Sequence, residues 1–339
     1  MAAGPETGDL GVAPFVGRER RIEEWNAQSD GEQREAERRW GPPCPGLTPR
    51  RAAFAGVALC IALVVAVAEF GLGLTPDRYL VVLLVPALVL RQPKKYLVDF
   101  VPFALLLILY SACRGYAHEL HPAPFVRPQL DIERFLFAGH LPTVELQHLL
   151  GTARDTVAGR GAVIMTRLHF IVPPLLGFAL WLKRRSLFYR FGATMLALSF
   201  AACLVFLVYP AAPPWAAADR HLTPSLVHLT RPAATTSAGA SGVANATVTR
   251  LIPKNPYAAI PSLHAGYAFV VLFFAVALAA GTRWRRPVIG IALLYALLQS
   301  AAVVYTGDHY VVDVVLGCTA ATLAYLGVHR LWRALGFPD

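Results

Sequence analysis

The sequence is poor in charge. Only 15% of its residues are Asp, Glu, Lys or Arg, whereas 56% are hydrophobic, and the mean hydropathy is +0.49. So little charge excludes an ordinary soluble domain. Cysteine is scarce as well: there are five in 339 residues, none at a disulfide-framework or zinc-ligand spacing. Cys60, Cys113, Cys203 and Cys318 fall in or at the ends of apolar runs and Cys44 in the leading tail, which predicts buried, inert thiols. No HExxH, paired-carboxylate or Cys/His ligand set occurs, so chemistry without a metal or other cofactor is expected. No internal repeat is evident. No leader cleaved ahead of the first apolar run is expected, because that run begins only near Ala52, behind a charged tail.

What is present is a series of apolar runs of roughly 18 to 23 residues, the length that crosses a bilayer's hydrocarbon layer. Spans are predicted at about 52–74, 79–91, 97–113, 162–182, 188–209, 261–280, 287–305 and 309–331, the second being short and interrupted by Pro86. The chain therefore reads as an all-α integral membrane protein of seven or eight spans. A cytoplasmic tail over 1–51, disordered or surface-helical, is expected to precede one or two extra N-terminal spans over 52–96 and a main membrane domain over 97–335. The net charge of +10 does not predict nucleic-acid binding, because the basic residues gather at the ends of the runs. The loops WLKRRSLFYR and GTRWRRP, with Lys183, Arg184, Arg185, Arg190, Arg283, Arg285 and Arg286, place themselves in the cytoplasm by the positive-inside rule.

Two long segments remain for the outer side. In 114–161, Ile132, Phe135, Leu136, Leu141, Val144, Leu146 and Leu149 alternate with polar residues, predicting two interfacial helices broken at Gly139 and Pro142. The other, 210–260, is rich in Ala, Ser, Thr, Gly and Pro and is expected to be a mobile loop over the site.

The stretch YTGDHYVVD places His309 and Asp313 four apart at the outward start of a span. On a helix such residues share a face, and a carboxylate there fixes the imidazole's tautomer and supports its positive charge. The bland alternative is a structural pair at the membrane boundary, but acids within a membrane are costly. In NPYAAIPSLH, His264 also opens a span, with Pro261 suited to the first turn. One complete span separates the two, so both begin on the same side and both histidines reach one pocket. Their helix N-termini favour an anion such as phosphate, with Ser262 as an added hydroxyl donor and Arg114, directly after FALLLILYSAC, as a bidentate clamp.

These motifs resemble a known family. PSLH at 261–264 and HYVVD at 309–313 are similar to the second and third signature motifs of the type 2 phosphatidic acid phosphatase superfamily. YPAAPPW at 209–215, NPYAAIPSLH, TGDHYVVD and LFAGHLPTVELQ at 136–147 look most like its inositol phosphorylceramide synthase branch and the bacterial relatives of that branch. The resemblance covers about 97–331 and implies a six-helix transmembrane core. It implies that His309 is a nucleophile forming a phosphohistidine, that Asp313 orients it, and that His264 protonates the leaving oxygen. The broad family has a serine and an arginine ahead of the third-motif histidine, where this chain has Ala302 and Val303, and its basic first motif has no clear match. That departure favours the synthase branch, with Arg114 as the substitute ligand. The implied activity is transfer of a phosphoryl or phosphoinositol-type headgroup from a lipid to a hydroxyl at the extracytoplasmic face. Hydrolysis of lipid or polyprenyl phosphates is the close alternative, and a non-catalytic transporter or scaffold the distant one. The partners implied are membrane lipids, with no nucleic acid; the sequence does not fix the oligomeric state.

Overall fold

The computed structural model describes residues 76–120, 123–224, 226–231 and 255–337, with a few isolated positions ahead of these. The span expected at 52–74 falls almost wholly outside them; its Ala55 and Leu59 are described, and both are buried. The described elements are α1 (Pro76–Val89), α2 (Pro93–Leu120), α3 (Arg127–Leu136), α4 (Pro142–Leu150), α5 (Val157–Leu168), α6 (Val172–Lys183), α7 (Arg185–Val208), α8 (Pro214–Ala218), α9 (Leu263–Ala279), α10 (Arg285–Tyr305) and α11 (Val311–Ala334). No strand occurs among the described residues, only isolated bridges joining Phe125, Ala211 and Ala258. Helices α7, α10, α11 and the apolar part of α2 are each long and apolar enough to cross a membrane, and α5 with α6 makes a bent fifth candidate. This is an all-α integral membrane protein.

Three boundaries differ from the sequence reading. Helix α2 does not stop at 113 but continues through RGYAHEL to Leu120, because polar residues leaving the bilayer still propagate a helix. The run at 162–182 is two helices bent by 44°. Pro173 and Pro174 open α6 and lack the N–H groups that would bond back to residues 169 and 170, so the helix breaks there. The segment after α7 is not mobile throughout: in 210–231, Ala211, Ala212, Ala217 and Leu229 are fully buried. Small side chains there let the backbone pack closely, which a composition argument does not see. The remainder, 232–254, lies outside the described residues. The two helices expected around Gly139 and Pro142 are α3 and α4.

Helix α9 is apolar on every face because it is central. It packs against α6, α7, α10 and α11, while α2 lies on α7 and against α1. Large apolar residues such as Leu105, Leu204, Leu297 and Leu323 are left exposed on the outside of the bundle, as a lipid-facing surface requires.

The bundle has a basic end. Buried Asp99 near the start of α2 accepts from Trp181 Nε1 at 2.7 Å, from Arg185 at 2.5 Å and from the Tyr189 hydroxyl at 2.6 Å. Arg190 in α7 is bonded to His329 in α11. These contacts gather the start of α2, the α6–α7 turn and the end of α11, with their lysines and arginines, at one end. Residues 114, 169, 209–215, 264 and 309 lie at the other. Of the cysteines described, Cys203 is buried as expected, whereas Cys113 and Cys318 are only partly covered.

Candidate active site

His309 is not on a helix. It sits in the turn between α10 and α11, and Tyr310 is the N-cap of α11. Its proximity to Asp313 therefore arises from capping rather than from two positions on one helical face. Asp313 Oδ2 reaches back to accept from Tyr310 N–H at 2.9 Å, which holds the carboxylate beneath the turn, 3.5 Å from His309 Nδ1. Among the described residues, neither His309 Nδ1 nor Asp313 Oδ1 has a hydrogen-bond partner. The pair has room to tighten when charge develops on the ring.

His264 is the second residue of α9, whose N-cap is Ser262, so Pro261 precedes the cap instead of opening the helix. His264 Nδ1 lies 3.1 Å from His309 Nε2. With Asp313 drawing a proton to His309 Nδ1, the Nε2 lone pair is the acceptor, and His264 donates to it. A phosphorus atom entering between the rings would meet that lone pair on one side and a proton donor on the other.

Two packing details fix this arrangement. Ser262 N–H donates to the Asp313 carbonyl at 3.0 Å, and Gly317 lies so close that an added Cβ would stand 2.2 Å from Ser262 O. Only glycine allows the starts of α9 and α11 to meet. Gly317→Ala is expected to lower stability by about 1–3 kcal/mol and to reduce activity, measured as thermal unfolding and turnover. Gly327→Ala on the same helix, where nothing stands within 4 Å, should leave both unchanged.

Arg114 is exposed at the end of a cavity that also reaches His264, His309 and His169. Tyr110, one turn earlier on α2, lines the same cavity. Ser262 is placed otherwise than the sequence reading had it. It is fully buried, its hydroxyl accepts from Ala265 N–H at 3.5 Å, and it does not line the cavity.

Sequence reasoning missed His169. It occupies the break between α5 and α6, with its ring centroid 4.0 Å from that of His264. Its Nδ1–H donates to Thr166 O at 2.6 Å, which leaves Nε2 unprotonated in the neutral ring. The signal was available: an ionisable residue inside an apolar run is rarely idle. Among the described residues no group of three or more His, Cys, Asp or Glu could hold a metal ion.

The turn carrying His309 is held from outside the bundle. Glu133 of α3, fully buried, accepts from Val311 N–H at 3.0 Å and Val312 N–H at 3.3 Å, capping α11. Burial pushes this carboxyl up, and the two N–H groups oppose the rise. Asp308 accepts from Thr306 and Thr230 at 2.7 and 2.8 Å and pairs with His228 at 2.9 Å, clasping 226–231 onto the turn. Burial raises the Asp308 carboxyl, but these bonds outweigh it and leave it below the usual range. The clasp is therefore at full strength above the ordinary aspartate value of about 4 and is lost as pH falls through the lower folded value. Asp308→Asn is expected to expose 226–231 to limited proteolysis at neutral pH and to cost about 1–3 kcal/mol.

The family model described as PAP2 superfamily matches residues 132–327. The chain belongs to the PAP2 superfamily. Phosphoinositol dihydroceramide synthase of Bacteroides thetaiotaomicron is 29% identical over 174 residues, covering 50% of this chain and 55% of the relative. The chain thus matches about half the length of that curated relative. No solved structure matches it. His264, His309 and Asp313 fall inside the matched region, whereas Arg114, α1 and α2 precede it.

Proposed function

We propose that the protein transfers a phospho-headgroup, of phosphoinositol type, from a lipid donor to a hydroxyl acceptor through a phosphohistidine on His309. The observation carrying this reading is the 3.1 Å contact between His264 Nδ1 and His309 Nε2, with Arg114 and an apolar cavity beside it. His309 Nε2 attacks phosphorus and the bond from phosphorus to the lipid oxygen breaks. His264 gives that oxygen its proton, and the lipid alcohol leaves. An acceptor hydroxyl then attacks phosphorus, the P–N bond breaks, and His264 takes the proton back. Asp313 stabilises the charge on His309, and Arg114 clamps the phosphate oxygens as charge builds on them. The headgroup assignment is supported by the relative's name and by the resemblance of YPAAPPW, NPYAAIPSLH and TGDHYVVD to the inositol phosphorylceramide synthase branch.

The site end faces the extracytoplasmic side in this reading, because the opposite end carries the arginine-rich loops that the positive-inside rule keeps in the cytoplasm. Purified protein in vesicles, given headgroup-labelled phosphatidylinositol and a lipid alcohol, should move label to the alcohol. Label appearing only as free inositol phosphate or phosphate, with the alcohol present, would make the protein a hydrolase instead.

A further inference from the structure

We propose that the cavity leading from His309 is a slot for one hydrocarbon chain of the lipid substrate, walled by α1 and α2 and closed by an aromatic floor that limits tail length. The proposal rests on the reading above for what occupies the head end. The cavity measures about 280 Å³ and runs from Arg114, His264 and His309 down to Phe100 and Tyr96. Along α2, Arg114 and Phe100 are separated by 14 residues, or ~21 Å at the helical rise. That is more than half of the ~30 Å hydrocarbon thickness, enough to hold a long tail straightened. A volume this small admits one hydrocarbon chain rather than two.

Its walls are apolar over this length: Leu83 from α1, Phe103, Ala104 and Leu107 from α2, and Phe191 and Met195 from α7. The ionisable groups Arg114, His169, His264 and His309 stand together at the outer end, while away from it the polar atoms come from tyrosines such as Tyr79 and Tyr96, so the cavity fits an amphiphile with an anionic head and an aliphatic tail. The lower end is shut. Tyr96 stacks on Phe100 at 4.4 Å between centroids, and Trp181 meets both edge-on at 6.0 and 5.8 Å. Phe188 lies 4.8 Å from Phe100, and the Tyr96 hydroxyl donates to Leu80 O at 2.9 Å, tying the floor to α1. Asp99 is explained by the same device: it holds Trp181, Arg185 and Tyr189 rigid immediately beneath.

The test uses the full-length protein in vesicles with a phosphatidylinositol carrying a diazirine at the tail end, irradiated and mapped by peptide mass spectrometry. The slot predicts labels on Leu80, Leu83 or Phe100, retained in His309→Ala and lost in Ala104→Phe, which blocks the slot ~15 Å below Arg114. Leu105→Phe, on the adjacent lipid-facing position, should change nothing. Turnover of an oleoyl donor should fall about tenfold or more in Ala104→Phe while an octanoyl donor is spared. Labels confined to outward positions such as Leu105 and Leu109, alike in wild type and Ala104→Phe, would overturn the slot whatever the turnover. Slot labelling without any headgroup transfer would keep the slot and remove the transfer reading.

Discussion

Replacing His309 with alanine is expected to reduce headgroup transfer by about 10⁴-fold or more, with no comparable loss of stability. On the proposed mechanism the attacking lone pair goes, and His264 loses its partner nitrogen at 3.1 Å. The surrounding turn is held by other groups, since Glu133, Asp308 and the Asp313 cap do not involve the His309 ring. Thermal unfolding should therefore separate the variant from one that misfolds. Asp313→Asn offers a finer comparison, because it preserves shape and removes charge. Transfer should fall by about 10²-fold or more, since the amide no longer selects the tautomer that leaves His309 Nε2 unprotonated. Equal activity in all three proteins would place the chemistry elsewhere.

Arg114→Ala is expected to cost about 10²- to 10³-fold in kcat/KM, and Arg114→Lys to restore part of it. The guanidinium lines the same cavity as the three histidines, His169, His264 and His309. A clamp that engages charge developing in the transition state lowers kcat as well as kcat/KM, whereas a residue that only attracts the anionic lipid raises KM alone. Steady-state kinetics on both variants distinguishes these. Unchanged kinetics in Arg114→Ala would remove it from the site, leaving the phosphate to the helix N-termini.

The bringing together of His264, His309 and Asp313 was legible because it depends on order and direction alone. Two spans separated by a complete third must start on one side, and each carries a histidine at that start. The manner of the His309–Asp313 contact was not legible. Spacing of four implied a shared helical face, yet the helix begins only at Val311 and the carboxylate reaches back as a cap. Glu133 looked like any polar residue on an amphipathic helix. Its role arises from docking onto α11, 178 positions away in sequence, and no local pattern encodes that. The clasp at Asp308 was hidden likewise, because its partners His228 and Thr230 lie in a segment whose composition pointed to mobility. His169 was masked by the assumption of one straight span, although Pro173 and Pro174 were there to break it.

The central claim is covalent: phosphorus is carried on His309. Rapid quench of the wild-type protein with phosphorus-labelled phosphatidylinositol, at neutral to alkaline pH and without acceptor, should give an acid-labile, base-stable protein adduct. Peptide mapping should assign the adduct to His309, and addition of a lipid alcohol should discharge it to product at the rate of turnover. An adduct on another residue, or transfer at full rate with none formed, would contradict the account.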